Sequence, residues 1–224
     1  FNLNFTTWVG GVALRYRLYG RLGLDTPTIT RILTLGLLTN WMGYMLIAGS
    51  VFALRLVELP SHWAVGTTGL QMIGFLLLAV SLGYVLACGF ATKRTWRWRE
   101  HELTLPSLRL AVCQVVLGAS NWAMMALLIF WLLPEEALYP SILGILLISC
   151  VAGVVAHIPA GLGVLETVFL GLLQGQMAQG SLVAALLAYR TLYYLIPLVL
   201  AVITYLVLEK RAKAMRQHEK PAQT

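Results

Sequence analysis

The residues His157-Ile158-Pro159-Ala160-Gly161-Leu162-Gly163-Val164-Leu165-Glu166 interrupt an apolar segment that extends from about Ile142 to Gln179. Proline donates no backbone hydrogen bond, and glycine adopts dihedral angles that other residues avoid. The stretch therefore predicts two helices separated by a break over 159–163. A helix that restarts after Gly163 carries Glu166 in its first turn, and its free N–H groups favour an anion such as a lipid phosphate. The alternative is a kinked structural helix that Glu166 merely caps.

The composition places these helices in a membrane. Of the 224 residues, 59% are hydrophobic and only 11% are charged, and the mean hydropathy is +0.79. A soluble domain carries about 25% charged residues because water wets its surface. The apolar runs are long and lack the alternation of a transmembrane barrel. The sequence therefore predicts an all-α fold, a polytopic transmembrane helical bundle with broken or re-entrant helices near Pro159–Gly163.

The other apolar runs predict simple spans at Ile29–Leu54, Ala64–Ala91, Pro106–Leu133 and Ser181–Leu208. Basic residues cluster at 15–31, 93–109 and in the tail, so these segments are predicted to be cytoplasmic, with loops 55–63 and 134–139 outside. Residues 1–208 then form one transmembrane domain and 209–224 a charged cytoplasmic tail. Because the chain starts at Phe1, further helices are expected upstream.

Charge alone does not decide how Ile142–Gln179 crosses the membrane. Both halves cross fully, or they form a re-entrant pair that does not cross, and either option keeps the C-terminus cytoplasmic. The linker 159–163 carries no Lys or Arg, unlike an ordinary cytoplasmic loop. A broken, partly re-entrant pair is therefore favoured.

Arg190 lies inside the last apolar span, more than one turn from either end. An arginine in the membrane costs at least about 2.5 kcal/mol by insertion scales, so it needs a partner or water. Glu166 is the candidate partner. Tyr193 follows Tyr189 by one turn, and Tyr194 follows Arg190 likewise, which predicts a polar aromatic stripe. Alternatively, Arg190 extends to the membrane interface and the tyrosines form an aromatic belt.

Two weaker patterns extend the candidate site. Near the N-terminus, the pair Gly10-Gly11 precedes Arg15 and Arg17, which predicts a second polar break joined to a charged helix; a fraying terminus is the alternative. The dipeptides Asn40-Trp41 and Asn121-Trp122 each lie about 13–18 Å into a span, near the middle of the bilayer. The match indicates an internal repeat or a coincidence.

Several classes of function are not indicated. No hydrolase, nucleotide-binding or metalloprotease motif occurs, so the sequence predicts no enzyme, cofactor or metal site. Cys88, Cys113 and Cys150 lack paired spacing and are expected to be small buried side chains. The formal net charge of +7 comes mainly from clusters that flank apolar segments, which favours anionic lipid over nucleic acid.

Residues 157–166 and 188–197, with 1–11 and 39–41, together resemble the lysylphosphatidylglycerol synthase transmembrane-region family, the flippase-like domain of the MprF proteins. The resemblance covers nearly the whole chain. It implies a bacterial inner-membrane domain that moves phospholipids between leaflets. Ala160 stands where relatives often have Gly, and Thr7 and Trp8 stand where many have Pro and Arg, so the resemblance does not imply which lipid is moved.

The expected function is ATP-independent phospholipid translocation, with an anionic headgroup of phosphatidylglycerol or cardiolipin type held in an intramembrane cavity. Two alternatives remain: a lipid-headgroup-modifying enzyme with His157 and Glu166 as acid and base, or a non-transporting partner subunit of a phospholipid synthase. Gly171 and Gly175 have the spacing of a close helix-packing motif and allow a homodimer. The candidate binding residues are Arg15, Arg17, Asn40, Trp41, Asn121, Trp122, His157, Pro159, Gly161, Gly163, Glu166, Tyr189, Arg190, Tyr193 and Tyr194.

Overall fold

The computed structural model describes residues 5–57, 66–91, 95–98, 101–133, 137–158 and 161–218. Within these ranges the chain is almost entirely helical. The helices, in chain order, are α1 (Phe5–Arg21), α2 (Thr26–Ala53), α3 (Thr67–Phe90), α4 (Leu108–Leu132), α5 (Tyr139–Ala156), α6 (Val164–Leu172), α7 (Gln179–Arg190), a π-helical turn (Thr191–Leu195) and α8 (Ile196–His218).

Among the described residues, five helical segments are long and apolar enough to cross a membrane. They are α2, α3, α4, α5 and the continuous stretch Gln179–Val207, which joins α7, the π-helical turn and α8. This confirms the predicted all-α, polytopic membrane fold. Local signals fix several helix starts: Pro27 and Pro140 occupy first-turn positions, and the Ser107 side chain accepts a hydrogen bond from the Leu110 N–H at 3.3 Å.

The sequence did not predict a β-hairpin between α3 and α4. Strands β1 (Thr95–Trp98) and β2 (His101–Thr104) pair antiparallel, with Thr95 opposite Thr104. The hairpin lies within the basic segment 93–109, in the connection between α3 and α4. The prediction of a helical bundle is therefore not affected.

The core is built where α2, α4, α5, α6 and α7 meet. The core side chains with no exposed surface are Ala48, Ala126, Ile129, Ile142, Leu147, Phe169 and Leu186. Helices α2 and α4 approach most closely at Gly43 and Gly118, where a Cβ atom on either glycine would overlap the backbone of the other helix. Small residues permit this contact because helices in lipid associate mainly through close packing.

The predicted break is present. Helix α5 ends at Ala156, and His157 caps it in the left-handed region with φ of 53°. Gly161 and Gly163 have φ of 56° and 82°, and Gly163 caps the start of α6. Glycine suits these angles because it has no Cβ to clash with the backbone. Pro159 lies outside the described residues.

The segment Ile142–Gln179 falls between the two predicted options. Helix α5 has the length of a span, whereas α6 has nine residues and is about 13.5 Å long at 1.5 Å per residue. That is less than half of a hydrocarbon core about 30 Å thick. Helix α6 is thus a half-helix, and it packs against α5 and α7.

Three smaller expectations were wrong. Helix α1 runs unbroken through Gly10-Gly11, since a helix tolerates glycine at a cost of about 1 kcal/mol per residue. Gly171 and Gly175 do not share a helix, because α6 ends at Leu172 and Gly175 turns the chain with φ of 82°. Cys113 is exposed on α4, although Cys88 and Cys150 are buried as expected.

Candidate functional site

Arg190 and Glu166 form the predicted ion pair. The Arg190 Nε donates to Glu166 Oε1 at 2.5 Å, and its Nη2 donates to Glu166 Oε2 at 3.0 Å. The two side chains are 16% and 18% exposed. Two parallel charge-assisted hydrogen bonds of this kind fix orientation as well as contributing energy. The pair therefore joins the last residue of α7 to the first turn of α6.

The helix break supplies a further partner for the arginine. The Gly161 carbonyl accepts from Arg190 Nη2 at 2.9 Å. This carbonyl is one of the backbone groups that the interruption between α5 and α6 frees from helical bonding. A freed carbonyl at membrane depth needs a donor, and a guanidinium with five N–H groups provides one. The Gly161 carbonyl thus gains a donor, and one N–H group of Arg190 gains an acceptor.

A cavity of about 410 Å³ lies beside this pair. Its walls come from the second half of α4, the middle of α5, the start of α6 and the α7–α8 junction, with Met125, Leu146, Gly153, Gly161, Leu165 and Arg190 among the lining residues. Ser149, also in the wall, follows the first residue of α5 by ten residues, or about 15 Å. This distance is half the thickness of a hydrocarbon core about 30 Å thick.

The mouth of the cavity is apolar. Leu162, Leu187, Leu195 and Leu198 line the cavity and are also 61%, 55%, 53% and 45% exposed. Because these leucines belong both to the cavity and to the outer apolar surface of the bundle, the cavity opens to that surface through an apolar rim. A ligand with apolar chains can enter it without leaving the membrane.

Three tyrosines flank Arg190: Tyr189 lies at the end of α7, and Tyr193 and Tyr194 lie in the π-helical turn. Tyr189 and Tyr193 stack with centroids 5.6 Å apart, and Tyr194 meets both edge-on. The Tyr193 hydroxyl lies 3.4 Å from Asn121 Oδ1 on α4. A π-helical turn adds one residue to a helical turn and rotates the residues after it, and such turns are frequent at functional sites. The predicted aromatic stripe is present, and Tyr193 links the π-helical turn to α4.

Among the described residues, the buried Trp122 Nε1 has no hydrogen-bond partner, and Trp122 is 2% exposed. The Tyr189 hydroxyl, on a residue that is 1% exposed, interacts with the Tyr194 hydroxyl. Trp122, Tyr189 and Tyr194 all line the cavity. Buried polar groups in proteins are usually hydrogen-bonded, so the Trp122 indole nitrogen is an exception.

The remaining candidate residues lie elsewhere. Arg15 and Arg17 are exposed on α1, which contacts α2 through a 2.6 Å hydrogen bond between Tyr16 and Thr30. Asn40 and Trp41 are half-buried on α2. None of these candidates is among the described residues that line the cavity.

His157 is exposed at the end of α5, where its Nδ1 lies 2.8 Å from the Val155 carbonyl oxygen. Gly163 is also exposed, and its part in the site is to start α6. Their roles in ligand binding stay predictions, as do those of Arg15, Arg17, Asn40 and Trp41.

Sequence reasoning missed several wall residues. Met125, Ser149, Cys150 and Gly153 line the cavity, but in the sequence they are unremarkable members of apolar runs. The Ser149 hydroxyl already donates its hydrogen bond to the Ile145 carbonyl of its own helix at 2.7 Å. It therefore offers no free donor to the cavity. Only the crossing of the helices brings them together. Among the described residues, no group of three or more His, Cys, Asp or Glu could hold a metal ion.

The apolar helices of spanning length define a multi-pass α-helical membrane protein, and Arg190 inside one of them pairs with Glu166 on the half-helix α6. The chain is 49% identical over 223 residues to the inner membrane protein YbhN of Escherichia coli (strain K12), a match that covers 99% of this chain and 70% of the relative. The chain therefore belongs to the YbhN family. Together with the spanning helices, the relative's name supports a multi-pass protein of the inner membrane.

The chain is also similar to a second curated protein. The uncharacterized protein slr0712 of Synechocystis sp. is 32% identical over 194 residues, which cover 85% of this chain and 59% of that protein. No family model matches the chain. The resemblance to the lysylphosphatidylglycerol synthase transmembrane region therefore stays a prediction.

Proposed function

We propose that this protein moves phospholipids between the leaflets of the bacterial inner membrane without ATP hydrolysis. One observation carries the proposal: the bidentate Arg190–Glu166 pair lies at the wall of a cavity of about 410 Å³ that opens through exposed leucines. Charged side chains inside a membrane are costly and mark ion or substrate pathways in transport proteins. A mostly apolar cavity with one charged wall suits an amphiphile.

The apolar mouth supports a lipid rather than a water-soluble solute. Leu162, Leu187 and Leu198 offer no hydrogen bond to a polar molecule that arrives from water. A phospholipid can place its headgroup beside Arg190 while its acyl chains remain among the leucines and the surrounding lipid. Only the headgroup then has to leave the interface, which is the costly part of moving between leaflets.

The ion pair supports an anionic headgroup. A phosphate can replace the Glu166 carboxylate as the bidentate partner of Arg190, since guanidinium binds both groups with the same geometry. Glu166 lies in the first turn of α6, where the helix dipole stabilises its charge while the arginine is occupied. A headgroup of phosphatidylglycerol or cardiolipin type fits this exchange.

Leaflet-resolved translocation tests the proposal. Full-length protein is reconstituted into liposomes with a fluorescent phosphatidylglycerol, and a membrane-impermeant reductant reports the fraction of label that reaches the outer leaflet. Wild type is expected to expose label much faster than protein-free vesicles. Glu166→Gln and Arg190→Lys should slow this at least about tenfold, because each weakens a charge-assisted contact of about 1.5–3 kcal/mol.

Arg55→Gln is the matched control. Arg55 is an exposed arginine near the end of α2 that binds Gln71 at 2.7 and 2.9 Å, far along the chain from the cavity residues. It should translocate at the wild-type rate. A wild-type rate equal to that of protein-free vesicles would refute the proposal.

The geometry gives less support to a headgroup-modifying enzyme. Such an enzyme needs His157 and Glu166 to act together on one ligand, but His157 faces the Val155 carbonyl and Glu166 is held by Arg190. The role of a partner subunit in lipid synthesis has no specific contact in its favour. Both stay alternatives that the translocation assay addresses, because neither requires lipid movement.

A further inference from the structure

Four exposed arginines lie near the start of the chain, away from the cavity. They are Arg15, Arg17 and Arg21 on α1 and Arg31 on α2. Asp25 is the only acidic residue in the first 57 positions. Within the described part of the chain, no hydrogen bond or ion pair joins these guanidinium groups to another residue. This surface therefore carries positive charge that the described residues do not neutralise.

The contact between α1 and α2 brings three of these arginines together. A hydrogen bond of 2.6 Å joins Tyr16 on α1 to Thr30 on α2. Arg15 and Arg17 are the two neighbours of Tyr16 along the chain, and Arg31 directly follows Thr30. Since neighbouring Cα atoms are about 3.8 Å apart, this one contact holds three charged positions on a small area of surface.

Apolar side chains are exposed among the arginines. Leu14, Leu22 and Ile32 are 46%, 77% and 41% exposed, and each directly adjoins an arginine in the chain. Helices that lie in a membrane interface combine basic residues with apolar side chains, because the first attract anionic headgroups and the second enter the acyl boundary. The mixture on this surface favours contact with lipid.

The connection to α2 places this surface at headgroup level. Helix α2 has 28 residues and is about 42 Å long, which matches a bilayer about 40–45 Å thick with its headgroups. The connection 22–25 has four residues and reaches at most about 14 Å, so the end of α1 stays close to the start of α2. Helix α1 is not one of the described segments that could span a membrane.

We propose that α1 and the start of α2 form a surface site that holds anionic phospholipid headgroups of the adjoining leaflet. The site is separate from the cavity, since none of its four arginines is among the described residues that line the cavity. It does not depend on translocation. Each basic residue near a membrane surface favours anionic lipid by about fivefold, and this attraction falls off within a Debye length.

The lipid composition beside α1 tests the site. In the full-length protein, Cys113→Ala removes the exposed thiol of this chain, whereas Cys88 and Cys150 are buried. Gly20→Cys then adds a labelling position on α1 where no atom obstructs a side chain. The labelled protein is reconstituted into phosphatidylcholine vesicles that contain a small fraction of phosphatidylglycerol or phosphatidylcholine with the same nitroxide near the top of one acyl chain.

Quenching of the fluorophore measures how often each lipid lies beside α1. Quenching by the phosphatidylcholine probe corrects for the depth of the fluorophore. At low salt, we expect phosphatidylglycerol to quench at least about threefold more strongly, because several arginines attract its phosphate. In about 1 M salt the Debye length is about 3 Å, and the two lipids should quench equally.

Removing the charges should remove the preference. With all four arginines replaced by glutamine, the two lipids should quench equally; with all four replaced by lysine, the preference should remain, because attraction to a membrane surface depends on charge. If the glutamine variant does not fold, Arg15→Gln/Arg17→Gln takes its place and should reduce the preference to about half or less.

Two controls are matched to these changes. Arg55→Gln removes an exposed arginine that binds Gln71 at the other end of α2, and it should leave the preference at position 20 unchanged. A fluorophore at Gly180→Cys, also an unobstructed position, lies in the stretch 167–189, which has no charged residue. It should be quenched equally by the two lipids.

Equal quenching at position 20 in low salt overturns the site and leaves an acidic protein surface as the partner that fits the charge. A preference that persists in about 1 M salt or in the glutamine variants, that is lost in the lysine variant, or that is as large at position 180 also overturns it. A preference at position 20 without translocation would refute the proposed function and keep this site, whereas translocation without the preference would do the reverse.

Discussion

The α2–α4 crossing and the α5–α6 break both depend on glycine, but they use opposite properties of it. At the crossing, Gly43 and Gly118 are helical, and what matters is the missing side chain, which lets two backbones touch. At the break, Gly161 and Gly163 have open space around them, and what matters is their positive φ. The small size of glycine allows α2 and α4 to pack closely at the crossing. Its backbone freedom allows the chain to leave the helix at the break.

The two Asn-Trp dipeptides also differ in what their tryptophans contact. Trp41 and Trp122 both meet Tyr44 edge-on, with ring centroids 5.8 and 5.3 Å from it. Tyr44 donates to the Leu147 carbonyl at 2.9 Å, so this aromatic group anchors α5 to α2. Yet Trp122 alone of the two tryptophans borders the cavity. The same dipeptide thus contributes to helix packing in α2 and, through Trp122, to the wall of a cavity in α4.

The largest effect should come from breaking the ion pair on one side only. Glu166→Ala leaves the Arg190 charge without its carboxylate in a mostly buried site, and we expect a loss of about 3–5 kcal/mol of stability. Thermal unfolding in detergent measures it. The double variant Glu166→Ala/Arg190→Ala should regain much of the loss, and a double variant less stable than Glu166→Ala would contradict this account of the break.

The next largest loss of stability should come from a larger side chain at the α2–α4 crossing. Gly118→Ala places a Cβ atom into the backbone of α2, so we expect a loss of about 1–3 kcal/mol as the helices move apart. Gly36→Ala is the control, because that position on α2 has open space where a Cβ would lie and alanine favours the helix by up to about 1 kcal/mol. Melting temperatures that fall equally for both variants would show that the crossing is not tight.

A smaller loss should follow Gly163→Ala. The site has open space, so the only penalty is a left-handed backbone angle of 82°, which costs about 1–2 kcal/mol for a residue with a Cβ. Gly171→Ala, in the same half-helix and equally unobstructed, should be neutral or stabilising. The comparison of the two unfolding temperatures separates backbone strain from crowding, and a stable Gly163→Ala would argue against the angle at the break.

The smallest effect should come from Tyr193→Phe. The hydroxyl lies 3.4 Å from Asn121, a long hydrogen bond that contributes less than the usual net of about 1 kcal/mol. The ring and its stacking on Tyr189 remain. We expect the translocation rate to change by less than about threefold; a loss as large as that of Arg190→Lys would mean that Tyr193 binds the lipid directly.

The spans and the break could be predicted because each is a local property of the chain. Apolar runs of about 20 residues are typical of membrane spans, Pro159 disfavours an uninterrupted helix, and Gly161 and Gly163 allow the backbone angles of a break. The partner of Arg190 was predictable for a related reason. A buried arginine needs an acid, and Glu166 is an acid within an apolar stretch beside the break.

Other features could not be predicted because they depend on residues far apart in the sequence. The exposure of Cys113 depends on which face of α4 meets α2, and an apolar helix in lipid has no polar face to mark its orientation. Helix α1 continues through Gly10-Gly11 although the pattern predicted a break there, since glycine alone permits a break but does not require one.

The sequence by itself determined that this protein is a bundle of membrane helices with a charged interruption, because hydropathy and backbone chemistry act residue by residue. Only the tertiary structure decided that the interruption borders a cavity, that Trp122 and Tyr189 share its wall, and that leucines form its mouth. These features arise from the packing angles and distances among α4, α5, α6 and the α7–α8 junction, which no single stretch of the chain encodes.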